Sequence, residues 1–453
     1  MKLRPWKPGC RSDTPAGEPQ KWFLALADLL APAYFFFAQK IRSIRIEGAE
    51  ILDRQYSEAR RGQSRFLVAF RHPGDADPHL AFWFLHSRLP RDLGRPRKDF
   101  GGRFVSGAEI PLWGGPLVRW ALRSAGTVPV RHGNMERATL DALVAAIAED
   151  PRPLALAPEG QVTYHAGTVQ FLDEGAARLA LWASKRLSAA GRLLPIRIVP
   201  LAVEYRFTLR ALARLPAFLS RLERRCGLAD GSGLALKKRL DRIWERLVRS
   251  AEEHYARVYN QVPAPEGAPI RERLEHLLKG ALARLEAFYG LTSRGEAPGG
   301  KAGLKARTMA ARTAALERVF HPPARWEGMS PVERGMARRT AAEAYFLDRH
   351  QQLVDLGEYL DPAYAGPDGA ESPPDRLIEI AQNLWDLANR MEGGDIASRS
   401  RFFRKDVILR VGPLVDAARR KGEGSRQAAR RILQALSDEF RGLAEKPEPE
   451  SRP

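Results

Sequence analysis

A buried strand that leads through a sharp turn into a helix is the feature that most restricts how this chain can fold. Residues 66–70 are all apolar, which is typical of a strand buried on both faces. Pro73 and Gly74 follow and favour a turn. From Pro78 onward, apolar residues recur at helical spacing. The segment therefore predicts a strand-to-helix junction inside a folded core.

Two residues suited to proton transfer flank this turn, His72 and Asp77. On a straight helix, residues five apart diverge by about 140° at roughly 3.6 residues per turn. With His72 in the turn and Asp77 at the helix start, the two side chains can meet. A carboxylate bound to one imidazole nitrogen leaves the other free to accept a proton, which is how a hydroxyl is activated. The alternative interpretation is a plain helix N-cap, since Asp followed by Pro is also typical of a helix start.

Strands and helices alternate through the first half of the chain. Apolar runs predict strands near 44–46, 65–70, 103–105, 127–130, 153–157 and 196–204. Helical spacing predicts helices near 78–89, 116–125, 135–149 and 174–190, the third with Asn134 as its N-cap. This alternation predicts an α/β fold, a layered sheet with flanking helices.

Three further blocks follow His72 in order. Residues 126–131 form a short apolar strand ending in Arg131, residues 154–160 a strand ending in Pro-Glu-Gly, and residues 198–203 a strand interrupted by Pro200. With the His72–Asp77 block, they resemble in order and spacing the PlsC-like glycerolipid acyltransferases, the family of the lysophosphatidate (1-acylglycerol-3-phosphate) acyltransferases. The resemblance covers about residues 40–205.

The resemblance implies a chemical role for each block. His72 is expected to act as general base on the acceptor hydroxyl, which attacks an acyl thioester, while Asp77 orients His72. The resemblance implies acyl-CoA or acyl-carrier protein as co-substrate. It implies no metal, no other cofactor and no covalent acyl-enzyme. The implied binding residues are Arg131, Pro158, Glu159 and Gly160 for the acceptor and Pro200 and Leu201 for the acyl chain.

The residue types agree with these roles. A guanidinium at a strand end, as in Arg131, suits an anionic headgroup because it pairs with phosphate in a bidentate fork. Gly160 would let the backbone approach a ligand closely, although Pro-Glu-Gly is also simply a good turn. Pro200 inside an apolar run indicates a strand end or edge rather than a position in the middle of a sheet.

One departure from the family pattern leaves the acceptor open. Where the third block of the family has an arginine, this chain has Val162. The expected reaction is acyl transfer to a lysolipid hydroxyl, with 1-acylglycerol-3-phosphate converted to phosphatidate in phospholipid biosynthesis. Alternatives are another acceptor (a lysophospholipid, a lyso-ornithine lipid or glycerol 3-phosphate) or a non-catalytic, basic, membrane-associated scaffold.

The charge of the chain points to an anionic partner. A net charge of +19 predicts attraction to polyanions, which include anionic membrane lipid, an acidic acyl carrier protein and nucleic acid. No nucleic-acid-binding motif stands out, so nucleic acid is not expected. For an enzyme of lipids, an anionic bilayer surface is the most economical partner, at about 1 kcal/mol per basic residue near it.

The most apolar long stretch, residues 22–38, is expected to attach the protein to a membrane. It falls short of the ~20 residues of a spanning helix, and Asp28 and Pro32 interrupt it. Its aromatic cluster with flanking lysines favours an interfacial helix pair on the cytoplasmic face, peripheral or monotopic. Packing on the enzyme core is the alternative. Cys10 and Cys226 are lone thiols, which fits a reducing cytoplasm.

The second half of the chain is expected to be mostly helical. Apolar residues recur at helical spacing from 236 to 258 and from 270 to 288, and Ser330 to Glu333 form a capping box. A late apolar segment, 406–411, predicts a strand. The resemblance to larger members of the family implies that this strand returns to the catalytic sheet before a last helix. The predicted units are an N-terminal tail and interfacial segment (1–42), the acyltransferase α/β domain (43–205), a helical insertion (206–404), the returning strand and helix (405–445) and a disordered tail (446–453).

Overall fold

The fold is taken from a computed structural model of the chain. It describes residues 17–108, 110–130, 137–169, 171–291, 300–319, 328–357, 364, 372–394 and 399–444. Arg131, Asn134, Cys10 and the tail from residue 446, all named above, lie outside the described residues.

A mixed, mostly parallel sheet forms the centre of the molecule. In the described part of the chain its strands are β1 (Ile41–Glu47), β2 (Arg65–Phe70), β3 (Arg103–Gly107), β4 (Val128–Val130), β5 (Leu154–Leu156), β6 (Ile196–Phe207), β7 (Lys405–Val411) and β8 (Val415–Asp416). Their spatial order is β1-β7-β6-β2-β5-β3-β4, and the short β8 pairs with β6. Helices cover both faces of this sheet, which confirms the predicted layered α/β fold.

Two apolar layers lie on opposite faces of the sheet because alternate strand residues point in opposite directions. Leu201 and Val203 of β6 pack on one face with helices Ala49–Arg60 and Asp77–Trp83. Ile198 and Ala202 face the other side. The helices packed there are Arg137–Glu149, Gly175–Ala189 and Ser425–Ala444.

Pro200 lies in the interior of the sheet, so the prediction of a strand end or edge was wrong. It is part of the long strand β6, and it pairs with Ala69 of β2. The other side of β6 changes partner here, from β8 at Ile198 to β7 at Leu201. The Pro200 carbonyl accepts a hydrogen bond from Gly412 in the connection between these two strands. Because the absent N–H faces this junction, proline interrupts no regular ladder.

Strand β7 lies between β1 and β6. It is parallel to β1 and antiparallel to β6, with Lys405 opposite Phe207 and Val411 opposite Leu201. The amino end of β7 therefore meets the carboxyl end of β6 at one edge of the sheet. The chain reaches this position only after a long helical region.

The helical region has an apolar core of its own. Its helices in the described residues are Leu209–Arg225, Leu236–Tyr259, Ile270–Tyr289, Gly300–Val319, Pro331–Gly357 and Pro374–Met391. They share a buried cluster that includes Leu219, Trp244 and Leu384. The capping box is present, since Ser330 N donates to Glu333 Oε2 over 2.7 Å and Glu333 N to Ser330 Oγ over 3.3 Å.

One continuous helix replaces the expected N-terminal pair. Helix Lys21–Ala33 runs through Pro32 into a π-helical turn, Tyr34–Ala38. The helix of 18 residues has a mean hydropathy of 1.3, and 11% of its residues are buried. By length and composition alone it could cross a membrane, so the expectation that this segment is too short to span one was wrong. Asp28 pairs with Arg91 and Arg97 of the sheet domain over 2.7 and 2.5 Å. The helix therefore lies against the domain.

Candidate active site

The turn after β2 places His72 above the carboxyl edge of the sheet. Nδ1 of His72 lies 3.3 Å from Oδ2 of Asp77, the first residue of the following helix. The His72 side chain is 14% exposed, whereas Asp77 is fully buried. One end of this pair can thus meet a substrate while the carboxylate is shielded from water. Asp77 makes no side-chain cap for its own helix, so the N-cap interpretation was wrong.

Both oxygens of Asp77 have a second partner. Gly74 N donates to Oδ2 over 2.6 Å, and the Tyr205 hydroxyl donates to Oδ1. Burial, together with the nearby Asp77 carboxylate, raises the pKa of Tyr205 well above its usual value, so the hydroxyl keeps its proton and remains a donor. These bonds hold the carboxylate in its position beside His72.

Tyr205 reaches Asp77 because β6 is longer than its neighbour. The last pair between β2 and β6 joins Phe70 to Leu201, and β6 continues to Phe207. Its overhang faces the turn of His72. A Cβ at Gly74 would lie 2.7 Å from the Tyr205 hydroxyl, so only glycine allows the turn to pass this close.

A buried ion pair supports the other side of the turn. Arg71 Nε donates to Glu159 Oε1 over 3.0 Å, and the backbone N–H of His72 donates to Glu159 Oε2. The two terminal nitrogens of the Arg71 guanidinium donate to the carbonyls of His165, Ala166 and Thr168. Glu159 thus binds the backbone of His72, and its predicted contact with an acceptor stays a prediction.

The other predicted site residues lie around this centre. Gly160 has a positive φ of 74°, which closes the turn after β5, and Pro158 is buried beneath it. Leu201 is fully buried in the sheet between β2 and β7, next to Pro200. Their proposed contact with an acyl chain stays a prediction.

Sequence reasoning missed the residues that β6, β7 and the helical region bring to the same edge. Lys405 Nζ lies 3.6 Å from the ring centre of Tyr205, and Arg401 pairs with Asp75 in the turn. Glu379, from helix Pro374–Met391, lines a small cavity together with Lys405 and Arg401. Tyr205 could have been found from the sequence, because it follows Leu201 and Val203 at alternate positions and so shares their face of β6 while carrying a hydroxyl. Lys405 carries no such signal.

The N-terminal helix borders the site as well. Tyr34 packs edge-on against His79 with ring centres 5.4 Å apart, and Phe23 packs against Phe82 of the same helix turn. The opposite face of this helix is exposed. Its exposed apolar side chains are Trp22, Leu26, Leu29, Leu30, Phe36 and Phe37.

A histidine–carboxylate pair at the carboxyl edge of a layered α/β sheet fits an enzyme that activates a substrate hydroxyl. Residues 43–204 match the sequence model of the family described as Acyltransferase, which is the family of the PlsC-like glycerolipid acyltransferases. The matched range includes β2 to β5 and most of β1 and β6, whereas β7 and the helical region lie outside it. Searches among curated proteins and solved structures gave no significant match. The matched domain supports a general acyltransferase function.

Proposed function

We propose that the protein is a lipid O-acyltransferase that moves a fatty acyl group from acyl-CoA or acyl-carrier protein to the hydroxyl of a lysolipid. The first candidate acceptor is 1-acylglycerol-3-phosphate, with phosphatidate as the product. The observation that carries the proposal is the buried Asp77 held against a partly exposed His72 within the acyltransferase domain. The proposed reaction requires no cofactor beyond the thioester co-substrate.

The geometry supports general-base catalysis. Asp77 favours the tautomer with the proton on Nδ1 of His72, so Nε2 is free to accept a proton. As the acceptor hydroxyl attacks the thioester carbonyl, its proton passes to Nε2. The C–S bond then breaks, the new ester leaves, and the proton goes from His72 to the departing thiolate.

The enzyme is proposed to act at a membrane surface. The exposed apolar face of the N-terminal helix lies next to the helix of Asp77, and a lipid bilayer would cover it. Because Asp28 ties the helix to Arg91 and Arg97, the geometry favours attachment along the surface over crossing. The cytoplasmic face is proposed because the acyl thioesters are made there.

Point substitutions can test this attachment. Leu29→Glu with Phe37→Glu places two charges on side chains that are 75% and 67% exposed, and it should release the protein from anionic liposomes in a sedimentation assay. Leu193→Glu is the matched control, since Leu193 is 87% exposed near the opposite edge of the sheet. Equal sedimentation of all three proteins would contradict the proposed surface.

The identity of the acceptor is open to one specific alternative. Val162 packs against the apolar cluster of the helical region, so it offers no contact to a phosphate. This observation favours an acceptor without a phosphate monoester, or a phosphate site made by other residues. A lysophospholipid and a lyso-ornithine lipid are the corresponding candidates.

The decisive experiment is acyl transfer by the purified chain beside His72→Ala. Acyl-CoA and acyl-carrier protein serve as donors, with a panel of lysolipid acceptors, and mass spectrometry detects the products. We expect product from the wild-type protein and none above background from His72→Ala. His254→Ala, on the exposed face of helix Leu236–Tyr259, controls for loss of a histidine. Full activity in a folded His72→Ala protein would refute the mechanism.

A further inference from the structure

A small cavity lies beside the turn of the general base. Pro73, Gly74 and Asp75, the three residues after His72, form one wall. The opposite wall comes from helix Pro374–Met391 and from residues 399–405, which lead into β7. This opposite wall lies outside the residues that match the acyltransferase family, whereas Pro73, Gly74 and Asp75 lie inside them.

Three cations border this cavity. Arg399 donates to Asp386 over 3.0 Å and to Asn383 over 2.7 Å, and Arg401 pairs with Asp75. Lys405 differs from both. Among the described residues its Nζ forms no hydrogen bond and no ion pair, and its contact is with the face of the Tyr205 ring.

Among the described residues no carboxylate around the cavity forms an ion pair with Lys405, although the charges of Asp75, Asp77 and Glu379 partly offset the lowering of its pKa by burial. Asp75 is engaged by Arg401, which together with other cations holds its pKa below the usual range although burial acts in the opposite direction. Burial raises the pKa of Glu379 to about 7, and its carboxylate already accepts hydrogen bonds from Tyr364 and from Ala166 N. Burial also lowers the pKa of Lys405. An anion in the cavity would compensate for that desolvation.

We propose that Lys405, with Arg401 beside it, binds a phosphate group of a substrate. The inference rests on the proposed function, because it places the phosphate next to the acyl-transfer site. A lysine ammonium is a compact charge suited to phosphate oxygens. Tyr205 contacts Lys405 with its ring and Asp77 with its hydroxyl, so only one side chain separates the phosphate from the catalytic pair.

This site would replace the phosphate contact that the family's arginine would make at position 162, where this chain has Val162. In a glycerol 3-phosphate unit the phosphate and the reactive hydroxyl are on adjacent carbons. A phosphate on Lys405 would therefore hold that hydroxyl close to His72. The phosphate could belong to the acceptor headgroup or to the phosphate-bearing part of the donor, and the two sources are separable by kinetics.

The test compares Lys405→Met with the wild-type protein. The acceptors are 1-acylglycerol-3-phosphate and monoacylglycerol, and the donors are acyl-CoA and the phosphate-free acyl-pantetheine. Loss of a charged hydrogen bond should raise KM about tenfold or more for the substrate whose phosphate is bound. Lys421→Met, at an exposed turn, removes the same charge elsewhere and should leave every KM unchanged. Lys405→Arg should restore most of the affinity.

Each outcome has one meaning. A higher KM for 1-acylglycerol-3-phosphate but not for monoacylglycerol assigns the phosphate to the acceptor. A higher KM for acyl-CoA but not for acyl-pantetheine assigns it to the donor. Unchanged KM values for all four substrates, or an equal rise in all of them, overturn the proposal.

A second measurement on the unaltered protein does not depend on activity or on a variant that folds. Acetic anhydride labels Lys405, and mass spectrometry follows the rate of labelling. Glycerol 3-phosphate should slow the labelling of Lys405 severalfold, whereas glycerol should not. Equal labelling with and without the phosphate refutes the site. Absence of acyl transfer by the wild-type protein would refute the proposed function, while this labelling result would still decide the phosphate site.

Discussion

Removal of a single hydroxyl, in Tyr205→Phe, should separate orientation of the catalytic pair from binding of the substrate. The hydroxyl donates to Oδ1 of the buried Asp77 carboxylate. A hydrogen bond to a charged group contributes about 1.5–3 kcal/mol, and its loss leaves a buried oxygen without that donor. If this orientation is needed in the transition state, kcat should fall about 10- to 100-fold, at roughly 1.4 kcal/mol for each factor of ten. KM should change little, since the phenyl ring under Lys405 is kept.

The assay is steady-state acyl transfer, with thermal unfolding measured in parallel. Tyr345→Phe is a matched control because Tyr345 is also a buried tyrosine whose hydroxyl binds a charged group, accepting from Arg349 over 2.8 Å in the helical region. Both variants should lose stability, but only Tyr205→Phe should lose kcat. A kcat within about twofold of wild type, with equal losses of stability, would show that the Tyr205 hydroxyl is only structural.

Three further substitutions test the support of the site. Gly74→Ala places a methyl group 2.7 Å from the Tyr205 hydroxyl. It should destabilise the fold by about 1–3 kcal/mol and lower kcat, which thermal unfolding and steady-state kinetics would measure. An active, equally stable variant would contradict this expectation. Glu159→Gln leaves Arg71 buried without its anion and should lower the free energy of unfolding by about 3 kcal/mol in a urea titration, whereas a loss below ~1 kcal/mol would contradict the buried pair. Burial raises the pKa of Glu379 to about 7 from an ordinary 4.5. The wild-type protein should therefore lose about 3 kcal/mol of stability as the pH rises from about 4.5 to 7, because the folded state holds this proton more tightly than the unfolded state. Glu379→Gln should remove that decline. A parallel decline in both proteins would contradict the assignment to Glu379.

The layered sheet could be predicted because its signals are local. Apolar runs and helical spacing identify strands and helices within a few residues, and the turn between β2 and its helix is indicated by Pro73 and Gly74 alone. Pro200 could not be interpreted in this way. Its tolerance in the centre of the sheet depends on the exchange of β8 for β7 on one side of β6, and those strands come two hundred residues later.

The candidate site was predictable only where its residues are neighbours in the sequence. His72 and Asp77 belong to one turn, so their meeting follows from the local fold. The contact of Tyr205 with Asp77 depends on how far β6 extends beyond β2, which is a property of the strand register. Lys405 reaches the site because β7 runs antiparallel to β6, and no spacing in the sequence expresses that direction.

The helical region takes part in positioning His72, the proposed general base, through one shared loop, residues 163–168. From the sheet side, Arg71 binds three carbonyls of this loop. From the helical side, Glu379 accepts from Ala166 N, Tyr364 accepts from Gly167 N, and Asn383 donates to the carbonyl of Tyr164. Since each buried polar group left without a partner costs about 1–3 kcal/mol, the loop keeps this shape only while both sides hold it. Arg71 adjoins His72, so a displacement of the helices would change the support of the catalytic turn. Residues 43–204 therefore contain the proposed catalytic pair, His72 and Asp77, without containing every residue that holds it in place.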